Sequence, residues 1–217
     1  MLELTLPAPR RRATRILCLG AHCDDIEIGC GGTLLKLLAG RAACEVSWVV
    51  FSADAARAAE LKRSAQRFLR GARRTRLVVH AFRDSYFPAQ YAAIKDALAA
   101  LRSLEPDVVF THQCAEHHQD HRLLGELTWN TFRHHLVLEY EIPKYEGGLG
   151  TPNLYVPLTR AEVRAKTRAL MACYPSQRRK RWFTPATFEA LLRLRGVEAG
   201  CQSGWAEGFH ARKVVLG

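Results

Sequence analysis

The chain has 217 residues, of which 48% are hydrophobic and 24% are charged, so it should bury one substantial core rather than stay disordered. Its longest apolar runs are strand-sized, far short of the ~20 residues that a membrane-spanning helix needs, and no secretory signal opens the sequence; we therefore expect a cytoplasmic protein without a membrane span. The formal net charge is +11, but no zinc finger, aromatic RNA-binding motif or basic zipper accompanies the arginine clusters, so no nucleic-acid partner is expected.

Strands and helices alternate in the first half of the chain. A short apolar run at 16–21 predicts a buried strand, and Gly29, Gly31 and Gly32 predict a tight turn before a helix at 33–39. Further strands are predicted at 46–52, 76–82 and 107–112, with helices at 55–70 and 91–104. This alternation is typical of an α/β protein, here a single Rossmann-like three-layer domain with a mostly parallel sheet and helices on both faces.

The second half is less regular. We predict a helix at 123–135, a strand at 136–142, a long loop at 145–157, helices at 159–172 and 185–195, and a short terminal strand at 213–216. The loop is rich in glycine and proline, and long loops in compact domains tend to carry function. We divide the chain into a basic N-terminal extension, residues 1–14, and one domain, residues 15–217.

Two clusters of histidines and aspartates follow predicted strands. The first contains His22, Asp24 and Asp25, and the second contains His118, Asp120 and His121. Because ligands of open α/β sheets bind outside the carboxyl ends of the strands, the two clusters should meet in one crevice. Catalytic zinc takes three histidine or carboxylate ligands and keeps one position open, so the clusters together predict a metal-dependent hydrolase.

Two other kinds of site compete for the same residues. Cys23 lies beside His22 and Cys114 lies near His117, but a cysteine–histidine pair leaves the aspartates unexplained. The glycines at 29–32 match neither common phosphate-binding spacing. Since the seven cysteines are scattered, odd in number and without a C-x-x-C pair, we expect reduced, mostly structural thiols.

The two clusters resemble the motifs of a known family. Residues 21–34 resemble the A-H-P-D-D-x-E-x-G-C-G-G-T-L signature of the LmbE-like, or PIG-L, zinc deacetylases, and residues 118–121 resemble the second motif, H-x-D-H. Shorter matches lie at 57–60, 83–84 and 206–209, so only about the first dozen residues fall outside the resemblance. Cys23 stands where the family has proline, which would fix the backbone of the loop.

The resemblance implies a role for each site residue. His22, Asp25 and His121 bind the metal, taken as Zn²⁺ with another divalent ion left open. Asp24 is then the general base, and His118, held by Asp120, stabilises the oxyanion or protonates the leaving amine. Arg57 and Asp84 match positions that contact sugar hydroxyls, although a surface arginine and a helix-capping aspartate explain them about as well.

The implied activity is deacetylation of an N-acetylhexosamine in a sugar, glycoside or glycan precursor, with release of acetate. Two alternatives stay open: a zinc amidase acting on a non-sugar N-acyl compound or thiol conjugate, and a non-enzymatic basic module that binds nucleic acid or a surface. Glu207, Tyr140 and Tyr145 are weaker candidates for shaping the substrate pocket. Assembly into a homo-oligomer is also left open.

Overall fold

The structure is a computed structural model that describes residue 3 and residues 12–40 and 43–215. In these residues the strands form one seven-stranded sheet in the order β3-β2-β1-β4-β5-β7-β6. The strands are β1 (Thr14–Gly20), β2 (Cys44–Val50), β3 (Arg74–Val79), β4 (Val108–His112), β5 (Leu136–Tyr140), β6 (Leu154–Pro157) and β7 (Ala206–Ala211). The α-helices are α1 (Asp25–Ala39), α2 (Ala55–Phe68), α3 (Tyr91–Ala100), α4 (Gln119–Thr131), α5 (Arg160–Cys173) and α6 (Pro185–Glu198).

The sheet is parallel from β3 to β5, and β7 pairs antiparallel with both β5 and β6. The strand β1 lies between β2 and β4, and the chain leaves it through α1 toward β2. The chain therefore runs from β1 toward one edge of the sheet and later returns to add β4 on the other side of β1. At such a change of direction the connections that leave the two strands diverge, which opens a crevice at the carboxyl ends of β1 and β4. The predicted α/β class with a mostly parallel sheet is confirmed.

Side chains of β1 alternate between two cores, one on each face of the sheet. Cys18 joins the core that contains Trp48 and Phe68, whereas Leu17 and Leu19 join the core on the other face. The helices α1, α2 and α5 contact one another, as α3 contacts α4. Helices cover both faces of the sheet, as predicted. The sequence of β1 is largely apolar because the strand is buried on both sides.

The predicted glycine turn before residue 33 is wrong, because α1 already begins at Asp25. The glycines allow close packing of this helix instead. A Cβ atom on Gly29 would overlap the ring of Tyr140, and one on Gly31 would lie 2.7 Å from the Phe68 Cε1 atom. Glycine costs helix stability on average, but here no larger residue fits between α1 and its neighbours.

The C-terminal elements also differ from the predictions. The predicted loop at 145–157 ends in β6, and the last strand is β7 (Ala206–Ala211) rather than 213–216. Residues 213–215 lie outside any strand, and residue 216 lies outside the described part of the chain. The sequence of β7 is poor in β-branched residues, so pairing with β5 and β6 outweighs its weak intrinsic preference.

Most of the predicted extension, residues 1–2 and 4–11, lies outside the described residues, and β1 starts at Thr14. Arg12 forms an ion pair of 2.6 Å with Asp107, just before β4. The domain boundary between residues 14 and 15 stays a prediction. In the described part of the chain, no helix combines the length and the apolar character that crossing a membrane requires.

Candidate metal-dependent active site

The two polar clusters lie together at the carboxyl ends of β1 and β4. β1 ends at Gly20 and the chain enters α1 at Asp25, while β4 ends at His112 and α4 begins at Gln119 with His118 as its N-cap. Because β1 and β4 are parallel neighbours, their exits lie side by side. The Nδ1 atom of His22 is 3.1 Å from the Nε2 atom of His121, so the expected meeting of the clusters is observed.

Three side chains lie close enough together to share one metal ion. His22 Nδ1 lies 3.5 Å from Asp25 Oδ2, and His121 Nε2 lies 3.5 Å from Asp25 Oδ1. Ligand atoms at about 2.0–2.2 Å from a tetrahedral zinc ion would be about 3.3–3.6 Å apart. The donor set of two imidazoles and one carboxylate, all largely buried, therefore fits a zinc-sized cation.

The described residues contain three overlapping groups that could hold a metal ion. These groups are His22 with His118 and His121; Asp25 with His112 and His121; and His22 with Asp84 and Asp120. Each contains His22 or His121, so every group shares a residue with the predicted ligand set. None contains Cys23.

His112 belongs to this site although it was not among the predicted ligands. It is fully buried, its Nε2 atom lies 3.1 Å from Asp25 Oδ2, and its ring stacks on His121 with centroids 3.9 Å apart. The backbone N–H of Ala21 donates to the same Nε2 atom at 3.1 Å. The available signal was its position as the last residue of a buried strand, a costly place for an unpartnered imidazole.

Asp24 and Asp25 have opposite electrostatic environments. Burial raises the pKa of Asp24, and the opposing charge of Arg57 does not cancel this effect. Burial also acts on Asp25, but the neighbouring imidazoles of His121 and His112 outweigh it and hold the pKa of Asp25 well below its usual range. Neighbouring carboxyl groups whose pKa values are pushed apart are suited to different roles.

Arg57 is bound to Asp24 rather than exposed on the surface. Its Nη2 atom lies 2.7 Å from Asp24 Oδ1, and its Nη1 atom donates to Ser176 Oγ at 3.3 Å. Glu60 accepts hydrogen bonds from both the backbone N–H and the hydroxyl of Ser176, and the guanidinium lies 5.4 Å from the centre of the Tyr174 ring. Arg57 thus ties α2 and residues 174–176 to the Asp24 carboxylate.

His118 lies edge-on to His22, with ring centroids 5.2 Å apart. Its Nδ1 atom accepts a hydrogen bond of 3.3 Å from the backbone N–H of Asp120, so a neutral His118 carries its proton on Nε2. Burial and then the charge of His22 lower the pKa of His118, which favours this neutral form at pH 7. The side chain is therefore a hydrogen-bond donor through Nε2.

Asp120 contacts His118 through its backbone N–H, while its carboxylate bonds elsewhere. It is fully buried and accepts hydrogen bonds from the backbone N–H groups of Ser85, at 2.6 Å, and Phe87, at 3.0 Å. Its Oδ2 atom also lies 3.4 Å from His22 Nε2. The carboxylate thus anchors the 85–87 segment beside His22, and the hydrogen bond to His118 comes from the backbone N–H.

Asp84 lies at the outer side of the same segment. Its Oδ1 atom is 3.1 Å from His22 Nε2, and 67% of its side chain is exposed. The contact with His22 holds the pKa of Asp84 well below its usual range. Ser85, which follows, has φ of 64°, a left-handed conformation that costs energy for a residue with a Cβ atom and that accompanies the bond to Asp120.

The cysteines beside the histidines are poor nucleophiles. Cys23 is buried, its thiol faces the carbonyl of Ser52 at 3.7 Å, and burial raises its pKa to about 12. Burial likewise raises the pKa of Cys114 to about 12. Both thiols are therefore protonated at neutral pH, which disfavours the cysteine–histidine alternative.

Two of the weaker pocket candidates have structural roles. Glu207 accepts hydrogen bonds from the backbone N–H groups of Gly32, at 2.8 Å, and Thr33, at 2.6 Å, and pairs with buried Lys166 at 2.6 Å. The hydroxyl of buried Tyr140 donates to Leu19 at 2.6 Å. Tyr145, the third candidate, is 73% exposed.

Glu116 is a buried carboxylate that the sequence did not single out. Its Oε1 atom accepts from the backbone N–H of His117 at 2.8 Å and pairs with Lys144 at 2.5 Å, and its Oε2 atom lies 3.5 Å from His121 Nδ1. Although burial opposes it, the contacts with His121 and Lys144 lower the pKa of Glu116 to about 2. Lys144 comes from the loop after β5, so no local motif links these residues.

Solved structures of similar fold carry different functional descriptions. A conserved protein of Thermus thermophilus is 23% identical, with a TM-score of 0.72 over 93% of this chain and 96% of that one. N,N'-diacetylchitobiose deacetylase of Pyrococcus horikoshii is 22% identical, with a TM-score of 0.66 over 95% and 86%. The 4-carboxy-2-hydroxymuconate hydratase of Pseudomonas putida is 17% identical, with a TM-score of 0.72 over 94% and 98%. These structural similarities show the fold, and proteins that share it are described as a deacetylase and as a hydratase.

The family comparison is more specific than the fold. The family model described as PIG-L, GlcNAc-PI de-N-acetylase, matches residues 17–132. This range is more than half of the chain and contains both clusters of histidines and aspartates. On this match, with the metal-compatible crevice at its centre, the chain belongs to the PIG-L (LmbE-like) family.

Proposed function

We propose that the protein is a zinc-dependent N-deacetylase that hydrolyses the N-acetyl group of an N-acetylhexosamine in a sugar, glycoside or glycan precursor and releases acetate. The observation that carries the proposal is that His22, Asp25 and His121 lie within 3.5 Å of one another, with the second carboxylate, Asp24, next to Asp25 in the chain. Family membership supports deacetylation, as does the description of the Pyrococcus relative as a diacetylchitobiose deacetylase.

His22, Asp25 and His121 would hold the ion. A bound zinc ion activates water and polarises a carbonyl oxygen, the two kinds of help that amide hydrolysis needs. Asp25 suits a ligand because the surrounding imidazoles keep it ionised. The backbone N–H of His22 also donates to Asp25 Oδ2 at 2.6 Å, which fixes the orientation of the carboxylate.

Asp24 is proposed as the general base. Arg57 binds its Oδ1 atom, and no donor among the described residues is bonded to Oδ2, so the second oxygen is available to take a proton from the attacking water. Its raised pKa moves it toward the range in which a carboxylate can both accept and return a proton near neutral pH. Arg57 keeps the carboxylate oriented throughout.

His118 is proposed to act at the other end of the reaction. Its Nε2–H group can donate a hydrogen bond to the oxygen on which negative charge develops. The proton that Asp24 accepts from the attacking water can pass to the leaving amine as the carbon–nitrogen bond breaks. Asp120 contributes indirectly, because its backbone N–H sets the tautomer of His118 while its carboxylate anchors the segment after Asp84.

Asp84 and Arg57 are proposed to contact the hydroxyl groups of the sugar, with unequal structural support. The Asp84 carboxylate is mostly exposed at the rim of the site and has acceptor capacity for a ligand. The Arg57 side chain is 17% exposed and already bound to Asp24 and Ser176, so a sugar contact would be its second role. The cytoplasmic location and any homo-oligomer stay predictions from the sequence.

Acetate release tests the proposal directly. Protein stripped of metal and reloaded with zinc should release acetate from N-acetylglucosamine, either free or glycosidically linked. The panel should also include N-acylated amines without a sugar and thiol conjugates. Release from these alone would move the function to the non-sugar amidase alternative, and release from no compound would overturn the deacetylase proposal.

Substitution of the proposed base tests the mechanism. Asp24→Asn should lower kcat/KM by roughly 10²–10⁴-fold, the usual contribution of a general base, while the zinc content stays the same. Asp96→Asn is a matched control, because Asp96 is an exposed residue of α3 without an ion pair in the described part of the chain. Equal activity of the two variants would exclude Asp24 as the base.

A further inference from the structure

The loop between β5 and β6 reaches the active site through a buried contact. Lys144 places its Nζ atom 2.5 Å from Glu116 Oε1, with side chains that are 6% and 0% exposed. The same ammonium group donates to the backbone carbonyl of Ile142 at 2.7 Å. The ion pair therefore joins this loop to the segment that leads from β4 into α4.

Glu116 in turn contacts the imidazole of His121 and the backbone of His117 and His118. Its Oε2 atom faces Nδ1 of His121 at 3.5 Å. Its Oε1 atom accepts hydrogen bonds from the backbone N–H groups of His117, at 2.8 Å, and His118, at 3.3 Å. The carboxylate thus lies between Lys144 on one side and the His118–His121 turn on the other.

We propose that Glu116 and Lys144 are positioning residues that hold His121 in the orientation and tautomer needed for metal binding. A neutral imidazole carries one proton, and the carboxylate at Nδ1 keeps it there, which leaves the Nε2 lone pair directed at His22 and Asp25. The inference rests on the proposed function, because it takes His121 as a metal ligand. Histidines that bind metals commonly donate their other N–H to such a carboxylate, and loss of that partner costs about 10–100-fold in metal affinity.

Lys144 has a distinct part in this arrangement. Glu116 is buried, and a buried carboxylate without its cation would be costly and would turn toward other donors or take up a proton. By holding Oε1, Lys144 leaves Oε2 facing His121. A residue of the β5–β6 loop therefore sets the geometry of a metal ligand on α4.

A second buried pair in the same protein provides a matched control. Lys166 and Glu207 are each 2% exposed and lie 2.6 Å apart. Their other hydrogen bonds go to the α1 backbone at Ile28, Gly32 and Thr33, and include no histidine or aspartate of the site. If burial of an ion pair mattered only for stability, disrupting either pair would have the same consequences.

The experiment measures the zinc dissociation constant by competition with a chromophoric chelator, together with Tm, in Glu116→Gln, Lys144→Met and Lys166→Met. We expect zinc binding to weaken about 10–100-fold in the first two variants and to change less than about twofold in Lys166→Met, which should only unfold at a lower temperature. The conservative variant Lys144→Arg keeps the positive charge and should recover most of the affinity. With Co²⁺ in place of zinc, the absorption bands should shift in Glu116→Gln and stay unchanged in Lys166→Met.

A variant that does not fold, an unchanged zinc affinity and an absence of metal binding each lead to a different conclusion. If Glu116→Gln does not fold, the comparison of Lys144→Met with Lys144→Arg decides the question. Unchanged zinc affinity in folded Lys144→Met, or an equal loss in Lys166→Met, would overturn the positioning role while leaving the proposed function intact. If the unaltered protein bound no divalent metal, the proposed function would fail first. Zinc binding without acetate release from any compound would overturn only the proposed deacetylation. The zinc affinities of the variants would then still decide the positioning role.

Discussion

Asp24 and Asp25 show how adjacent residues acquire different chemistry from their surroundings. Asp25 faces His22, His112 and His121, whereas Asp24 points to Arg57 and is otherwise in a buried environment. The first environment stabilises a permanent negative charge, and the second disfavours it. A ligand and a base can therefore be neighbours in the chain without exchanging roles.

Removal of the Arg57 charge should change the pH dependence of the reaction. Arg57 lowers the pKa of Asp24, so Arg57→Leu should raise that pKa further, and the base must be ionised to accept a proton. The acidic limb of the kcat/KM profile should therefore move to higher pH. Measurement of this profile for Arg57→Leu and for Arg67→Leu, an exposed arginine on the same helix, checks the assignment; parallel shifts in both would argue against it.

Glu27 should make the stability of the fold depend on pH. Burial raises its pKa to about 8, and Tyr174 donates a hydrogen bond to its Oε1 atom at 2.5 Å. Between about pH 4.5, the usual value, and pH 8, the unfolded chain releases this proton and the folded chain keeps it. The free energy of unfolding should therefore fall as the pH rises through this window. Glu27→Gln, which cannot ionise, should show a weaker fall when urea unfolding is measured at pH 5 and pH 8.

At the scale of elements, α1 is a helix whose glycine-rich composition led to a wrong predicted start. Its glycines suggested a turn, because the contacts that require them come from Tyr140 and Phe68, more than thirty residues away in sequence. Elements whose apolar periodicity is local, such as α2 and α5, were predicted within a few residues. The helix with the most unusual composition has the largest error in its predicted start, eight residues, compared with four for α4, which was predicted from 123 and begins at Gln119.

Gly29→Ala should destabilise the fold through overpacking. The added methyl group would overlap the Tyr140 ring, whose hydroxyl is fixed on Leu19 in β1. We expect a loss of about 1–3 kcal/mol in the free energy of unfolding. Gly40→Ala, at the end of the same helix, is the control, because its Cβ atom would have 3.2 Å to the nearest backbone oxygen and φ is −69°. Similar losses at both positions would contradict this account.

The site was predictable to the extent that its residues are local in sequence. The two clusters follow strands that the apolar pattern reveals, so His22, Asp24, Asp25, His118, Asp120 and His121 could be brought together before the structure was known. His112 and Lys144 reach the site through contacts across the fold, and the fully buried carboxylate of Asp120 bonds to a loop more than thirty residues earlier. Glu116 lies only five residues before His121, but its burial and its pairing with Lys144 are set by the fold. The spacing of residues in the sequence does not predict such contacts.

At the scale of the whole molecule, the positive charge is unevenly placed. Residues 61–83 contain eight lysines and arginines and no aspartate or glutamate. None of the eight forms an ion pair within the described residues, whereas Arg12, Arg15, Arg57, Arg195 and Arg212 each pair with a carboxylate. A large part of the excess charge therefore lies in α2, in β3 and in the segments that follow them.

This distribution predicts salt-dependent retention on polyanions that is independent of catalysis. The protein should bind a heparin column and elute earlier at higher ionic strength, since contacts with a polyanion weaken steeply with salt. Asp24→Asn should elute with the unaltered protein, and a variant with Arg63, Arg67 and Arg70 changed to glutamine should elute at lower salt. Elution of Asp24→Asn at lower salt than the unaltered protein would instead indicate that the polyanion binds at the active site.

The position of β7 between β5 and β6 has a consequence for biosynthesis. This strand is synthesised after both of its neighbours, yet in the described residues β6 joins the sheet only through it. Glu207, which caps backbone N–H groups in the middle of α1, arrives with the same strand. A nascent chain that ends before residue 206 therefore has an unpaired edge at β5 and a β6 segment without its partner, and Lys166 is buried without its carboxylate until β7 is synthesised.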